Sequence, residues 1–314
     1  MSTLDNTAAT LPLPGGFADL ATMGGFLPHL PASKPKRVPL SPLRYPGGKT
    51  RFVPKLVSWL DGTTYKRVLE PFAGGASVSL GLLEAGIAET AWISDADHLI
   101  ASFWIAATEQ TQDLIDFMFS EPISVDRWNF WTSADERELD TLHKAMKTLY
   151  RNRTSFSGLI RHGGVLGGQA QSGKTKIDAR FNKPALAASI ERIGKWAKDG
   201  RLTATHDHWG FPAACDKRGD LIYFDPPYVE KSDQLYGPRF DEQDHENLSR
   251  AVRRLVGEVS VIVSYDDHPL IRKLYGSIFG ARFLTPEWAY GMGSGSGNTA
   301  SRELVITNIP TLPS

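Results

Sequence analysis

A short acidic turn, Asp225-Pro226-Pro227-Tyr228, is the part of this 314-residue chain best suited to chemistry. It follows residues 221–224 (LIYF), an apolar run that predicts a short buried strand. Two prolines end this strand in a stiff turn, because proline donates no N–H to a sheet and restricts the residue before it. A carboxylate, a backbone carbonyl and an aromatic ring then lie at a strand's carboxyl end, where open α/β sheets bind ligands. This set suits a planar base with an amino group, and a turn with Tyr228 packed locally is the alternative.

A second candidate site is the loop FAGGAS at residues 72–77, which follows a strand predicted at 67–71. Its glycines let a ligand approach the backbone, and the helix predicted at 78–85 offers free N–H groups. The loop lacks the GxGxxG spacing of dinucleotide sites, which favours a nucleoside without a pyrophosphate. Asp95, at the end of the next strand, is placed to accept hydrogen bonds from a ribose, with Asp97 as the second choice. S-adenosylmethionine is a ligand of this kind, and a simple tight turn is the alternative.

The elements that must position these loops alternate between strands and helices, which predicts a doubly wound α/β fold. Further strands are predicted at 91–94, 202–205, 221–224, 260–264 and 304–308, with helices at 244–255 and 269–275. Residues 110–197 interrupt this alternation with a helical pattern, and they are too long for a structureless loop. We therefore predict a disordered arm at 1–40, an α/β domain at 41–109 and 198–314, and an inserted, mainly helical domain at 110–197.

The predicted insert is basic, although the formal net charge of the whole chain is zero. Residues 144–183 contain nine Lys or Arg residues and a single acid, Asp178, interleaved with glycines and aromatic residues. Basic residues with aromatics and flexible turns are typical of surfaces that contact phosphates and bases. We predict nucleic-acid binding here, and a solvated basic face is the alternative.

Composition narrows the class of protein. Hydrophobic residues make up 41% and charged residues 22% of the chain, which is ordinary for a soluble globular protein. No apolar run reaches the roughly 18 residues of a membrane span, and no secretory signal is visible, so we expect a cytoplasmic protein. The single cysteine, Cys215, excludes an internal disulfide. His206 and His208 flank Asp207 without further ligands at helical spacing, so we expect no metal.

Three motifs in fixed order resemble the Dam-type (class alpha) DNA adenine-N6 methyltransferases: RYPGGK at 44–49, EPFAGGAS at 70–77 and DPPY at 225–228. Further matches lie at 152–154, 157–159, 177–182, 263–266 and 302–306, and they look most like the phage and mobile-element branch. The resemblance covers residues 42–310. It implies a Rossmann-like S-adenosylmethionine-dependent methyltransferase sheet with an inserted target-recognition domain. The implied reaction methylates the N6 amino group of adenine in double-stranded DNA, by base flipping and direct in-line transfer.

The resemblance, together with the residue types, assigns roles position by position. The expected catalytic residues are Asp225, Pro226, Pro227 and Tyr228. The expected cofactor-binding residues are Tyr45, Lys49, Glu70, Phe72, Gly74, Asp95 and Asp207. Among these, Lys49 would meet the cofactor's carboxylate and Phe72 would line its adenine pocket. The expected DNA-binding residues are Arg151, Arg153, Phe156, Arg161, Lys174 and Lys176.

Other interpretations stay open at this point. One changes the acceptor to RNA adenine or cytosine N4, although cytosine-N4 enzymes more usually carry Ser where this chain has Asp225. Another is a DNA-binding relative without catalysis. The family's best-known GATC readers have Asn where this chain has Ser157, so the resemblance implies no particular recognition sequence. A separate restriction endonuclease could be a partner, or the enzyme could act alone.

Overall fold

The computed structural model describes residues 39–45, 47–209, 219–229, 240–278, 280–285 and 303–312. The arm predicted at 1–40 lies outside these residues, except for its last two positions. Within the described residues, no helix has both the length and the apolar character that crossing a membrane requires.

The described residues form a seven-stranded sheet. Its strands are β1 Tyr65–Glu70, β2 Ala88–Asp95, β3 Leu202–His206, β4 Asp220–Phe224, β5 Ser260–Asp266, β6 Arg282–Leu284 and β7 Glu303–Thr307. Their spatial order is β3-β2-β1-β4-β5-β7-β6, and β7 runs in the direction opposite to the other six strands. The order reverses between β1 and β4, and ligands bind at the carboxyl ends of strands flanking such a point. The predicted Rossmann-like α/β sheet is confirmed.

Helices connect these strands and also fill the predicted insert. They are α1 Val53–Trp59, α2 Ser77–Glu84, α3 His98–Glu109, α4 Thr111–Ser120, α5 Val125–Ser133, α6 Thr141–Thr154, α7 Lys183–Lys198, α8 Glu242–Leu255 and α9 Pro269–Gly276. Several of these helices have a side-chain N-cap. At α3, Asp97 accepts from the Leu99 N–H at 2.9 Å, and at α8, Asp241 forms a capping box with Asp244. Such caps satisfy N–H groups that have no partner within the helix. Helices α1 and α3 and strand β6 were not predicted from the sequence.

The inserted helices share a core with the sheet. Met146 of α6 and Ile190 of α7 belong to the same buried apolar cluster as Ile93 of β2. The Thr148 hydroxyl of α6 also donates to the Leu99 carbonyl of α3 at 2.9 Å. Residues 110–197 are mainly helical, as the pattern indicated, and α7 packs against β3, the strand at one side of the sheet. The division of the chain into domains stays a prediction.

Candidate active site

A pocket opens at the carboxyl ends of β1, β2 and β4, where the strand order reverses. It brings together most of the residues predicted for cofactor and amine binding: Tyr45, Lys49, Glu70, Phe72, Gly74, Asp95, Asp225, Pro227 and Tyr228. Asp207 is half-buried beside the lining residue His208, and Pro226 is buried. The two ligand loops found in the sequence therefore face one cavity.

The loop after β1 is shaped by a glycine in the left-handed region. Gly74 has a φ of +44°, and a Cβ there would lie 2.8 Å from the Tyr45 ring, so a side chain does not fit. The Gly74 N–H donates to Asp95 Oδ2 at 2.9 Å. At the start of α2, the Ser79 N–H donates to Glu70 Oε2 at 2.8 Å. The loop thus packs against Tyr45 and fixes two acids in the pocket wall.

These two acids titrate near neutral pH. Burial raises the pKa of Glu70 to about 7, although hydrogen bonds from Ser79 lower it. Burial likewise raises the pKa of Asp95 to about 7, opposed by the Gly74 N–H and reinforced by the charge of Asp97. A ligand that donates hydrogen bonds to these carboxyls, or carries positive charge, favours their ionised forms.

The turn after β4 holds the predicted amine site. Strand β4 is buried along its whole length and ends at the two prolines, as predicted. The Lys49 ammonium donates to both Asp225 oxygens at 2.7 Å and to the Tyr228 hydroxyl at 3.0 Å. The carboxylate of Asp225, which we predicted to bind an amino group, thus already binds the amine of Lys49. The contact of Lys49 with a cofactor carboxylate stays a prediction, and the pairing of its ammonium with Asp225 was not predicted.

A buried carboxylate that the sequence did not assign, Glu303, completes this cluster. Its side chain is 1% exposed, and Oε1 lies 3.3 Å from the Lys49 ammonium and accepts from the Tyr228 hydroxyl at 3.1 Å. Glu303 is the first residue of β7 and pairs with Asp266 of β5. Because β7 is antiparallel, its amino end lies at the edge where the parallel strands have their carboxyl ends. The direction of this one strand brings Glu303 into the site.

The charges of this cluster act on Asp225. Burial raises the pKa of Asp225 to about 6, the Lys49 charge lowers it, and the Glu303 charge raises it. Two carboxylates around one ammonium leave a net negative charge when both are ionised. Such a site favours donors of N–H groups and cationic ligands.

Aromatic side chains form another wall of the pocket. The Phe72 and Trp209 rings lie nearly parallel, with centroids 6.5 Å apart and an interplanar angle of 17°. The buried indole N–H of Trp209 finds no acceptor among the described residues. The pocket therefore offers an aromatic surface with a buried donor.

No set of three or more His, Cys, Asp or Glu side chains in the described part of the chain could hold a metal ion.

Arg151, predicted to bind DNA, lies inside the protein. Its side chain is 1% exposed, and its guanidinium donates to the Ile160 carbonyl at 2.9 Å and to the Gly163 carbonyl at 3.2 Å. It also bonds to the Thr132 hydroxyl and lies 4.1 Å from the Trp128 ring centroid. Through these contacts Arg151 connects α6 with the loop that follows it and with α5.

Two further predicted DNA contacts are engaged with the protein itself. The Arg153 guanidinium donates to the Pro42 carbonyl, and burial lowers its pKa to about 10. Arg161 forms a two-pronged ion pair with Asp97 and bonds to Glu136 at 3.1 Å. Asp97 lines the pocket, so Arg161 ties the insert to the wall that carries Asp95.

The remaining predicted DNA contacts are exposed. Phe156 is 55% exposed, unusual for so large an apolar side chain. Lys174 and Lys176 are also exposed, and the Lys176 ammonium donates to the Gln171 carbonyl. Phe156, Lys174 and Lys176 are thus accessible to a large ligand.

The sequence of residues 45–292 matches the family described as D12 class N6 adenine-specific DNA methyltransferase. The chain belongs to this family. The resemblance seen in the motifs is confirmed, and this D12 methyltransferase has the methylation of adenine in DNA as its family activity.

Individual relatives of the D12 methyltransferase are distant. It is 21% identical to the type II methyltransferase M1.LlaDCHI of Lactococcus lactis subsp. cremoris, over 84% of this chain and 94% of that protein. It is 25% identical to the retron Ec67 DNA adenine methylase of Escherichia coli, over 84% of this chain and 90% of that protein. Among solved structures, it is similar to the rRNA methyltransferase aviRa from Streptomyces viridochromogenes, with 13% identity, a TM-score of 0.38, and coverage of 84% of this chain and 85% of that one.

Reasoning from the sequence did not assign Trp209 and Phe240, which line the pocket, or Glu303, which contacts Lys49 beside it. Trp209 follows β3 by three residues, and an aromatic residue just after a strand end was a usable signal. Glu303 was part of a matching motif, but its role depends on the antiparallel direction of β7, which the apolar pattern of that strand does not reveal.

Proposed function

We propose that this protein transfers a methyl group from S-adenosylmethionine to the N6 amino group of an adenine flipped out of double-stranded DNA. The observation that carries the proposal is the contact of the Lys49 ammonium with both oxygens of Asp225, beside the Tyr228 ring. This contact supports Asp225 as a receptor for an amine at the carboxyl end of β4. The family match supports adenine as the base that bears the amine.

S-adenosylmethionine fits the residues that line the pocket. Its sulfonium is cationic, which suits a pocket rich in carboxylates, and Asp95 suits the hydroxyl groups of a ribose. The buried Trp209 N–H and the Phe72 ring suit an adenine, which offers ring acceptors and a face for stacking. When bound, the cofactor supplies an electrophilic methyl group. Tyr45 and Gly74 lie against each other in the pocket wall and would contact the cofactor there.

The amine site supplies positioning and electrostatics for the transfer. The adenine amino nitrogen is a poor nucleophile because its lone pair is delocalised into the ring. Asp225 and the Pro226 carbonyl, accepting from its two N–H groups, favour a pyramidal nitrogen with an available lone pair. Tyr228 would stack on the base, which must leave the duplex to reach this depth. Lys49 then has to give up Asp225 to the incoming amine.

We assign target recognition to residues 110–197, the inserted domain predicted from the sequence. Phe156, Lys174 and Lys176 are its exposed predicted contacts. Arg161 connects this segment to the pocket wall through its ion pair with Asp97. Arg151 bonds to carbonyls within the recognition segment, and Arg153 bonds to the Pro42 carbonyl outside it.

Cofactor affinity should depend on pH. In the free protein Asp95 has a pKa of about 7, whereas ribose hydroxyl groups donate to its ionised form and lower that pKa on binding. Binding therefore releases a proton below pH 7, and affinity falls as the pH drops, by up to about tenfold per pH unit for each carboxyl that must ionise. Calorimetric titration with S-adenosylmethionine between pH 5.5 and 8 measures this slope. Asp95→Asn should flatten it, and a dissociation constant that is independent of pH in the unmodified protein would contradict the assignment.

Neutralising the exposed lysines should weaken DNA binding without affecting cofactor binding. Removing one phosphate-binding charge reduces the slope of log affinity against log salt by about 0.9, so Lys174→Gln with Lys176→Gln should reduce it by about 2. Lys66→Gln with Lys198→Gln is the matched control, since both lysines are exposed and lie outside the basic segment. Salt titrations of a fluorescent duplex measure the slopes. Equal slopes for the two double variants would contradict a phosphate-binding role.

The proposed reaction is tested in a host that lacks adenine methylation. Expression of the protein should produce N6-methyladenine at one short sequence, detected by sequencing that reports modified bases. The same host expressing Asp225→Ala should show none. Modified cytosine, or unmodified DNA throughout, would overturn the proposed function.

A further inference from the structure

The amine site contains one more buried charge than the transfer described above requires, namely Glu303. We propose that Glu303 is a positioning residue: it keeps Lys49 paired when an adenine amino group takes Asp225, and it fixes the phenol that orients the Tyr228 ring. This inference rests on the proposed methyl transfer and assigns a role to a residue outside the DPPY turn.

Two amines compete for Asp225. Both of its oxygens accept from the Lys49 ammonium at 2.7 Å. An incoming amino group would therefore have to displace Lys49 from at least one of them. Lys49 is 3% exposed, and separating so buried a cation from every counterion is strongly unfavourable. Glu303 Oε1 lies 3.3 Å from the same nitrogen. Lys49 can therefore yield Asp225 and keep a buried carboxylate as its partner.

Glu303 also anchors the Tyr228 ring. The Tyr228 hydroxyl donates to Glu303 at 3.1 Å and accepts from Lys49 at 3.0 Å. The phenol is thus held between two charged groups on β7 and in the segment before α1. A ring anchored at its far end presents a fixed face, which preorganises the surface on which a flipped base would stack.

The charge of Glu303 influences the ionisation of Asp225. Several titratable or charged side chains face Asp225 from the elements packed around it: Lys49, Glu70, Tyr223, Tyr228, Tyr265 and Glu303. Of these, Lys49 lowers the pKa of Asp225 and Glu303 raises it. Removing the Glu303 charge should therefore lower the pH at which Asp225 ionises.

The test compares Glu303→Gln and Glu303→Asp with the unmodified protein at saturating cofactor, measuring kcat/KM for DNA from pH 5 to 8. We expect Glu303→Gln to lower kcat/KM by about tenfold or more, and to shift the acidic limb of the profile to lower pH. Glu303→Asp keeps the charge but lengthens the gap to Lys49, so its limb should stay in place while kcat/KM falls less. Glu258→Gln, at an exposed position, is the control for a carboxylate-to-amide change.

The outcomes separate this inference from the proposed function. An active parent enzyme whose Glu303→Gln variant keeps its kcat/KM and its acidic limb would overturn the inference alone. An acidic limb that moves equally in Glu303→Gln and Glu303→Asp would also overturn the inference, because it indicates that Glu303 acts only through packing. If Glu303→Gln does not fold, an unchanged kcat/KM in Glu303→Asp overturns it. A parent enzyme that forms no N6-methyladenine would instead overturn the proposed function.

Discussion

Asp225→Ala should reduce methyl transfer to DNA by about a thousandfold or more and leave cofactor affinity within about threefold. The reduction follows because this carboxylate is the charged acceptor for the amino group, and the neighbouring Pro226 carbonyl cannot replace it. Cofactor affinity should persist because the acids of the other pocket wall, Glu70 and Asp95, are fixed by the loop after β1. Single-turnover transfer and calorimetric titration measure the two effects separately.

Asp199→Ala is the control, since this exposed carboxylate pairs with Lys195 at the end of α7. It should leave both measurements unchanged. Loss of cofactor binding together with transfer in Asp225→Ala would mean that the amine site and the cofactor site are wrongly divided. Retention of transfer would mean that Asp225 does not hold the amine.

The second large effect concerns stability. Arg151→Ala should lower the free energy of unfolding by about 3 kcal/mol or more, because it removes a packed, buried guanidinium and leaves its acceptors without that donor. Those acceptors include the Ile160 and Gly163 carbonyls and the Thr132 hydroxyl. Chemical denaturation followed by tryptophan fluorescence measures the change.

The salt dependence of DNA binding separates this structural role from a phosphate contact. Below its melting temperature, Arg151→Ala should bind DNA more weakly but with the parent's salt slope. Lys174→Ala should show the reverse pattern, with the parent's stability and a slope reduced by about 1. If Arg151→Ala reduced the salt slope and left the stability unchanged, Arg151 would be a DNA contact and the structural role would be wrong.

The sheet and its ligand edge were predictable because their signals are local. The apolar run at 221–224 is followed by Asp225 and two prolines, and the glycine loop at 72–77 separates a strand from a helix. Because all parallel strands share one carboxyl edge, locating the strand ends was enough to bring Asp95 and Asp225 to the same pocket. Element boundaries differed by a few residues at most, as at β2, predicted for 91–94 and observed at Ala88–Asp95.

The partners of charged side chains were not predictable from the sequence. A basic residue in the insert gives the same signal whether it is exposed, as Lys174 is, or buried under backbone carbonyls, as Arg151 is. Lys49 and Glu303 are more than 250 residues apart in the chain, and only the antiparallel course of β7 brings them together. Long-range pairing of this kind depends on topology, which the local pattern leaves open.

Nucleoside analysis shows whether the pocket at the β1–β4 reversal methylates adenine on N6. The purified protein is incubated with methyl-labelled S-adenosylmethionine and unmethylated double-stranded DNA, with parallel samples of RNA, and the nucleosides are then separated. We predict label in N6-methyl-deoxyadenosine from DNA and none from RNA, cytosine or the Asp225→Ala protein. Label in N4-methyl-deoxycytidine, label in RNA nucleosides, or the absence of label in every nucleoside would contradict N6 methylation of DNA adenine by this protein.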